Sequence, residues 1–227
     1  RNIDIKNSSI KTIITAGEPG GSIPSVRQQI ESLWGAKLFD HVGMTEMGAY
    51  GYSCSEQNGL HVNEEEFILE VINPETGEPV QEGERGELVL TNLGRLGYPL
   101  VRYRTGDMVI YSEKACPCGN PYHFLPGGII GRADDMVVIR GINIFPQSIE
   151  AIVREFKEID EFRIVYYTQN HMDQIKVQVE GEGIDTAQLE KRLRERIGLR
   201  IDVEQVSQGT LPRFEMKSRR VVDQRER

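Results

Sequence analysis

The first apolar segment of the chain predicts a strand followed by an amphipathic helix. Residues 10–15 (IKTIIT) are a β-branched run, and the turn-forming residues 16–21 (AGEPGG) end it. Ser22 or Ser25 is the expected N-cap of the next helix, and Gly35 is its expected end. The apolar positions of this helix recur at helical spacing, at Ile23, Val26, Ile30 and Leu33.

The middle of the chain alternates short apolar runs with turn residues, which predicts a β-rich block. Residues 37–42 form a short strand, and a loop follows over residues 43–48. Between residues 66 and 111, the segments FILEVI, ELVLTNL and DMVIY are separated by turns that contain Gly and Pro. Because short turns join antiparallel neighbours, we expect hairpin connections in this block.

The pattern changes after residues 132–135, where strand-like and helix-like segments begin to alternate. Pro146 stands near the start of one helix, where its missing N–H costs nothing, and Gly198 ends another. The order is β-α-β-β-α-β, so we expect a mixed α/β (α+β) protein with two domains, residues 1–133 and residues 134–227. The predicted strands of the second domain are residues 136–141, 161–169, 174–181 and 201–207.

Composition and charge exclude several classes of partner. The chain has 227 residues, of which 38% are hydrophobic and 27% charged, as in an ordinary globular protein. A net charge of −8 offers no basic face for nucleic acid or an anionic membrane, so we expect neither as a partner. No run of 18 apolar residues and no apolar signal core is present. Three cysteines are too few for a disulfide framework, which favours a reducing, cytoplasmic setting.

Several segments carry residues that are typical of binding loops. Taken singly, each is equally explained by a plain turn, a capped strand end, a charged hairpin or a solvated tail. In their order along the chain they resemble the core motifs of the adenylate-forming enzymes, which include acyl-CoA synthetases, luciferases and peptide-synthetase adenylation domains. The segments are AGEPGG (16–21), DHVGMTE (40–46), YRTGD (103–107), GRADDMVVIRGINIFP (131–146) and LPRFEMKSRRVVD (211–223).

Three further phrases are most similar to the phenylacetate-CoA ligase branch of this superfamily: GLH at 59–61, CPCG at 116–119 and GINIFPQSIE at 141–150. The resemblance implies that a carboxylic acid reacts with ATP to give an acyl-adenylate, and that the acyl group is then transferred to coenzyme A. It also implies the end of a large domain with a β-rich subdomain, followed by a small mobile C-terminal domain. Both reaction steps develop negative charge on oxygen, which calls for cations such as Mg²⁺ and for fixed hydrogen-bond donors.

The resemblance assigns roles around the nucleotide. Glu46 matches the position that helps to hold Mg²⁺, and Thr45 offers a hydroxyl to the AMP phosphate. Asp107 matches the acceptor of both ribose hydroxyls, and Arg132 matches an arginine that contacts ribose or phosphate. Glu18 lies in a loop that the family places beside the nucleotide and acyl sites.

The family often places an aromatic residue, stacked on adenine, two positions before the position of Met44. The residue here is Val42, so apolar contact, backbone groups or the neighbouring His41 are left to hold the base.

The resemblance also assigns roles in the second domain. Lys217 matches the catalytic lysine, whose ammonium would bridge the acyl carboxylate and the α-phosphate during adenylation. Asp134 matches the hinge about which the C-terminal domain rotates between the two half-reactions. The turn around Gly141 would then line the pantetheine tunnel, where a glycine lets the backbone come close.

The cysteines form a second cluster of candidate chemistry. Cys54, His61, Cys116 and Cys118 have the ligand types of a closed Cys₃His zinc site, which would be structural because no coordination position is open. The alternative is a set of three reduced cysteines with no ligand, and His123 is a candidate substitute for His61. A catalytic thiol is disfavoured, because no Cys/His/Asp arrangement supports one.

The superfamily's Ser/Thr/Gly-rich phosphate loop lies before the AGEPGG region, and this chain has no such stretch. We therefore expect the chain, which starts at Arg1, to be the C-terminal half of a longer ligase. The expected partners are a carboxylic acid, aromatic by resemblance, together with ATP and coenzyme A, and a homodimer is left open. Two alternatives remain open as well: a non-catalytic nucleotide or acyl-CoA binding module, and an adenylation enzyme that loads a carrier protein.

Overall fold

The computed structural model describes residues 5–17, 21–170, 172–214 and 220–225. The chain divides into two compact units, Arg1–Asp134 and Asp135–Arg227, and the division lies next to the boundary predicted from the sequence. No helix among these residues is both long enough and apolar enough to cross a lipid bilayer.

Within residues 5–17 and 21–134, the first unit contains one helix and two β-sheets. A five-stranded sheet has the strand order β1-β2-β3-β4-β8, and a four-stranded sheet has the order β5-β6-β7-β9. The pairs β5–β6 and β6–β7 are antiparallel, which confirms the predicted hairpin connections. The elements are β1 (Thr12–Ala16), α1 (Pro24–Trp34), β2 (Lys37–Met44), β3 (Gly48–Tyr52), β4 (Gly59–Val62), β5 (Phe67–Ile72), β6 (Arg85–Asn92), β7 (Tyr103–Ile110), β8 (Phe124–Pro126) and β9 (Gly131–Arg132).

Helix α1 ends where the sequence predicts but begins differently. Gly35 adopts a left-handed conformation and donates its N–H to the Glu31 carbonyl at 2.9 Å, which confirms the predicted end. The predicted serine N-cap is wrong, because the N-cap residue is Ile23 and no side chain caps the helix. Ser22 instead donates its hydroxyl to the buried Asp40 carboxylate, so this side chain makes a tertiary contact and does not cap the helix.

Both sheets of the first unit contribute to one apolar core. Its members come from β3, β4 and β8 of the five-stranded sheet, from β5, β6 and β7 of the four-stranded sheet, and from the turn before β3, which supplies Met47. Burial of this surface is the main favourable term for folding of the unit. The buried members are Met47, Tyr50, Val62, Phe67, Val71, Leu88, Leu90, Val109 and Leu125.

The described part of the second unit contains a hairpin, two helices and a four-stranded sheet. The sheet has the order β14-β13-β12-β15, in which β12 and β13 are antiparallel and each pairs in parallel with an outer strand. Helices α2 and α3 supply buried side chains to the same apolar core as the sheet. The elements are β10 (Val137–Ile139), β11 (Ile142–Ile144), α2 (Pro146–Val153), β12 (Ile159–Gln169), β13 (Met172–Gly181), α3 (Thr186–Ile197), β14 (Asp202–Gln205) and β15 (Val221–Gln224).

The predicted β-α-β-β-α-β order differs from this topology at both ends. The first predicted strand pairs only within the β10–β11 hairpin, whose turn residues Arg140 and Gly141 both have positive φ, +52° and +79°. Positive φ at both central residues is what a tight two-residue hairpin turn requires. Strand β15 was not predicted, because it is short and half-exposed and is stabilised by parallel pairing with β12.

A buried carboxylate on β13 fixes the chain that follows β14. Glu180 is fully buried and accepts the backbone N–H groups of Gly209, at 3.1 Å, and of Leu211. It also accepts an N–H of Arg213 at 2.6 Å. The Arg213 guanidinium, ahead of the two backbone donors, lowers the pKa of Glu180 from 4.5 to about 2. The segment 209–213 is therefore attached to the sheet through one ionised side chain.

This carboxylate predicts an acid-sensitive contribution to stability. Its folded pKa lies below its unfolded value, so the contribution is present above pH 4.5 and is lost as the pH falls towards 2. Glu180→Gln should lower the Tm of the chain at pH 7, and the difference from wild type should shrink through this range, as measured by circular dichroism. Glu204→Gln is the control, because that half-exposed carboxylate pairs with Lys176 at the surface and should change the Tm little. A Tm difference that stays constant from pH 7 to pH 2 would contradict the prediction.

Candidate functional site

The YRTGD motif forms the start of strand β7, and β9 pairs with it so that Asp107 is opposite Arg132. Gly106 has φ +75°, and a Cβ built at this position would lie 2.6 Å from Nη2 of Arg132. Glycine is required here for both reasons, because only glycine adopts this φ freely and leaves room for the guanidinium. The group that comes close to the Gly106 backbone is therefore the Arg132 guanidinium.

Both oxygens of the Asp107 carboxylate are held by the protein. The Tyr50 hydroxyl donates to Oδ2 at 2.8 Å, and Nη1 of Arg132 donates to Oδ1 at 3.3 Å. The Thr105 hydroxyl accepts the backbone N–H of Asp107 at 3.0 Å and donates to the Leu88 carbonyl at 2.7 Å. The side chain of Asp107 is 13% exposed, so it is fixed in orientation while one edge remains open to solvent.

Burial and charge act against each other at this carboxylate. Burial raises the pKa of Asp107, while the hydrogen bond from Tyr50 and the charge of Arg132 act to lower it. Burial also raises the pKa of Tyr50, and the Asp107 charge adds to this effect, so the phenol remains a neutral donor. An ionised Asp107 has about four lone-pair sites and uses two of them on these donors, which leaves acceptor capacity for ligand hydroxyl groups.

A second buried carboxylate supports the backbone of the same motif. Glu87 on β6 is 3% exposed and accepts Nε of Arg104 at 2.8 Å. Its other oxygen accepts the backbone N–H of Gly106 at 3.2 Å. Glu87 therefore connects two residues of the motif to the neighbouring strand and fixes the strand beside Asp107.

Thr45 and Glu46 lie together in the tight turn between β2 and β3, and both are exposed. The loop predicted for residues 43–48 is shorter than expected, because β2 extends to Met44 and β3 begins at Gly48. Nη1 of Arg95 donates to the Glu46 carbonyl at 3.2 Å, which places a cation beside this turn. Strand β3 continues from the turn to Tyr50, so the Thr45–Glu46 turn and the Asp107 site share one strand.

The structure brings the four candidate zinc ligands together. The ligand atoms of Cys54, His61, Cys116 and Cys118 all lie within 4.8 Å of one another. The Sγ atoms of Cys54 and Cys116 are 3.7 Å apart, and Sγ of Cys118 lies 3.4 Å from Nε2 of His61. Burial raises the pKa of Cys116 to about 11, whereas the backbone N–H of Asn120 lowers the pKa of Cys118.

His61 is oriented for this cluster, and His123 is not. Nδ1 of the buried His61 lies 3.1 Å from the Tyr122 carbonyl, which can only accept, so Nδ1 carries the proton. Nε2 then presents its lone pair to the thiols. His123 contacts Glu64 instead, with 2.9 Å between Nδ1 and Oε1, so the prediction that His123 could replace His61 is wrong.

The remaining predicted residues are distributed over both units. Nε of Arg132 also donates to Asp134 at 3.1 Å, so the proposed hinge residue contacts the Asp107 site within the first unit. Gly141 lies in the second unit, in the β10–β11 turn. Glu18 and Lys217 lie outside the described residues.

The two residues considered for adenine lie on β2. Val42 is partly buried and packs against the core of the first unit. His41 is also partly buried and lies opposite Tyr52 on β3.

Sequence reasoning missed three residues of this site: Tyr50, Glu87 and Arg95. None of them belongs to the family motifs, and Glu87 was quoted only as the first residue of the predicted strand ELVLTNL. Each acts through a partner far along the chain, with separations from 17 residues for Glu87–Arg104 to 57 for Tyr50–Asp107. Strand β3 buries Tyr50, but its sequence GAYGY does not alternate apolar and polar positions, so no local pattern marked this residue.

Comparison with known proteins places the chain among AMP-binding enzymes. Residues 141–225 match the family described as AMP-binding enzyme C-terminal domain. A phenylacetate-coenzyme A ligase of Thermus thermophilus is 32% identical over 99% of this chain and 56% of its own length. One from Escherichia coli is 30% identical over 98% and 53%. The chain spans about half the length of the curated relatives it matches.

A solved structure agrees with this likeness. The crystal structure of a 2-hydroxyisobutyryl-CoA ligase in complex with R3-HIB-AMP matches 97% of this chain and 50% of its own chain, with a TM-score of 0.86 and 32% identity. The fold predicted from the sequence, mixed α/β and like that of the adenylate-forming enzymes, is therefore confirmed.

The contact between Tyr50 and Asp107 predicts a stability effect. Tyr50→Phe removes the hydroxyl from a mostly buried carboxylate and should lower the free energy of unfolding by about 1–3 kcal/mol, as measured by urea denaturation of the chain. Tyr98→Phe is the matched control, because its side chain is exposed, and should change stability by about 0.5 kcal/mol or less. Equal effects of the two variants would show that the contact with Asp107 does not stabilise the fold.

Proposed function

The chain belongs to the adenylate-forming enzymes, as a homologue of the phenylacetate-CoA ligases, and we propose that the protein containing it activates a carboxylic acid with ATP and transfers the acyl group to coenzyme A. The chain would supply the C-terminal half of this AMP-forming acid–thiol ligase. The half that is absent from this sequence would supply most of the phosphate-binding groups and part of the acyl pocket.

The observation that carries the proposal is the arrangement around Asp107. A ribose presents two neighbouring hydroxyl groups, and one carboxylate can accept both only if it is held in a fixed plane. Tyr50 and Arg132 hold the two oxygens of Asp107 in this way and leave the side chain partly open. Asp107 would bind the ribose of ATP, and Arg132 would contact the ribose or the phosphate.

The turn between β2 and β3 is the candidate phosphate and metal side of the site. Glu46 has the hard oxygen ligands that Mg²⁺ prefers, and Thr45 offers a hydroxyl to the AMP phosphate. The bound Mg²⁺ would supply charge neutralisation for the phosphates. Arg95, which contacts the carbonyl of Glu46, adds a cation to this turn that the family resemblance did not suggest.

The second unit would contribute groups that act in only one half-reaction each. Lys217 would bridge the acyl carboxylate and the α-phosphate during adenylation, and the turn at Gly141 would contact the pantetheine arm of coenzyme A. Two residues of the first unit complete the proposed assignment. Asp134 is the proposed pivot, which is supported by its position at the last residue of the first unit. Glu18 would lie beside the nucleotide and acyl sites.

We propose a small carboxylic acid as the substrate, and an aromatic acid is the first candidate. Relatives named for phenylacetate favour an aromatic substrate, whereas the ligase named for 2-hydroxyisobutyrate handles a short branched acid. The alternatives are a non-catalytic nucleotide-binding module and an enzyme that loads a carrier protein. Acid-dependent exchange between pyrophosphate and ATP would exclude the non-catalytic module, because only an adenylating enzyme catalyses it. Acceptance of free coenzyme A as the acyl acceptor would exclude the enzyme that loads a carrier protein.

The nucleotide assignment is tested with the complete ligase that contains this chain. Asp107→Asn removes the charge and one acceptor position, so the KM for ATP in pyrophosphate exchange should rise by about 10-fold or more, the equivalent of one charge-assisted hydrogen bond. Asp202→Asn, which alters an exposed carboxylate of the second unit, should leave this KM unchanged. An unchanged KM in Asp107→Asn would reject the ribose assignment.

We further propose a structural zinc ion at Cys54, His61, Cys116 and Cys118. Tetrahedral zinc with bonds of about 2.3 Å to sulfur and about 2.0 Å to nitrogen separates its ligand atoms by about 3.8 Å (S···S) and about 3.5 Å (S···N). Two of the six separations fit this geometry, 3.7 Å for Cys54–Cys116 and 3.4 Å for Cys118–His61, and all six lie within 4.8 Å. The ion would join the segment after β3 to the long connection between β7 and β8, and a reducing cytoplasmic compartment would keep the thiols available.

The zinc site predicts a metal content and a loss of stability. Purified, untagged protein should contain about one zinc per chain by elemental analysis, because a closed four-ligand site binds the ion tightly. Cys116→Ser should lower both the zinc content and the Tm, whereas His123→Asn should keep the metal because His123 contacts Glu64 and lies outside the cluster. Metal-replete protein without zinc would exclude the site.

A further inference from the structure

Two buried carboxylates face each other across the central strands of the second unit. Glu161 on β12 is the register partner of Glu180 on β13, and the two residues are 4% and 0% exposed. Like charges directly opposite each other destabilise a sheet, and a buried carboxylate without donors costs still more. This pair therefore requires compensating cations, and the chain supplies them from one short stretch.

Glu161 is neutralised by Arg220. Nε and Nη2 of Arg220 donate to the two carboxylate oxygens at 2.5 Å and 3.0 Å, in the forked geometry that arginine prefers. The backbone N–H of Phe162 also donates to Glu161, at 2.9 Å. Glu150 on α2 lies 3.7 Å from Nη1 of the same arginine. Arg220 is thus held by carboxylates from a strand and from a helix.

Glu180 is neutralised by Arg213, which precedes Arg220 by only a few residues in the sequence. Both arginines flank residues 215–219, the stretch that contains Lys217. The two register partners on β12 and β13 therefore hold the chain on either side of Lys217, one on each side.

A ring contact joins the two flanks directly. The guanidinium carbon of Arg220 lies 5.2 Å from the ring centre of Phe162 and 5.8 Å from that of Phe214, so the cation is close to both rings. Phe214 is the residue immediately before 215–219, and Arg220 is the residue immediately after it. The backbone of Arg220 is fixed as well, since its carbonyl accepts the N–H of Ile164 at 2.7 Å.

From these contacts we propose that Glu161 and Glu180 are positioning residues for Lys217, and this inference rests on the proposed role of that lysine in adenylation. The two carboxylates fix Arg213 and Arg220, and these arginines fix both ends of the stretch that carries the lysine. Loss of either arginine contact would release one end of that stretch, so the lysine would be presented less precisely for adenylation. Neither carboxylate needs to touch the substrate.

A merely structural role would give a different kinetic result. Loss of stability alone lowers the amount of active enzyme and reduces both half-reactions by the same factor. Loss of lysine position reduces adenylate formation, because the lysine acts there, and leaves thioester formation from supplied acyl-adenylate nearly unchanged. The ratio of the two rates is therefore the measurement that separates the two roles.

The experiment uses the complete ligase and the variants Glu161→Gln and Glu180→Gln, with Lys217→Ala as the reference and Glu204→Gln as the matched control. We expect both positioning variants to lower kcat for adenylate formation by about 10-fold or more, with KM for ATP and thioester formation within about 3-fold of wild type. Glu204→Gln should be normal in both half-reactions, because its ion pair with Lys176 lies on β14 and β13 and is half-exposed.

If either glutamine variant fails to fold, Arg213→Lys and Arg220→Lys replace it, since lysine keeps the charge but loses the forked hydrogen bonds. The same selective loss of adenylate formation is then expected. Equal loss in both half-reactions, or normal adenylate formation while Lys217→Ala is inactive, would overturn the inference alone. Normal adenylate formation in Lys217→Ala would overturn the proposed role of the lysine, and the inference with it.

Discussion

A buried carboxylate must receive hydrogen bonds, and in this chain its donors come repeatedly from a segment distant in sequence. Asp40 accepts from Ser22, and Asp107 accepts from Tyr50, across 18 and 57 residues. Glu180 accepts from Arg213 across 33 residues. Because an unpaired buried charge costs several kcal/mol, each of these contacts forms together with the core around it. The contacts determine where the motif segments lie on their sheets.

The zinc cluster would serve the same purpose by different chemistry. Cys54 follows β3, whereas Cys116 and Cys118 belong to the long connection between β7 and β8 that lacks regular structure. Such a connection buries little apolar surface of its own, so ligands rather than packing would fix it. Because four protein ligands leave no coordination position open, the ion would be a structural support and not a reactant.

The residues proposed for catalysis are divided between the two units, and each unit holds its own residues by different contacts. In the first unit, groups for the nucleotide are fixed by strand pairing and buried donors, as at Asp107 and Arg132. In the second unit, the stretch that contains Lys217 is held at both ends by carboxylates of adjacent strands. The contacts that hold these segments therefore lie within one unit each.

The family, the β-rich block and the four residues of the Cys/His cluster could be predicted from the sequence, because they depend on local spacing and residue type. The binding of Ser22 to Asp40 in place of a cap on α1, and the orientation of His61 rather than His123 towards the thiols, became visible only in the folded chain. The same is true of the hydrogen bond from Tyr50 to Asp107. These hydrogen bonds join residues that are far apart in the sequence and become neighbours only after the strands pair. A local pattern of residues therefore does not predict them.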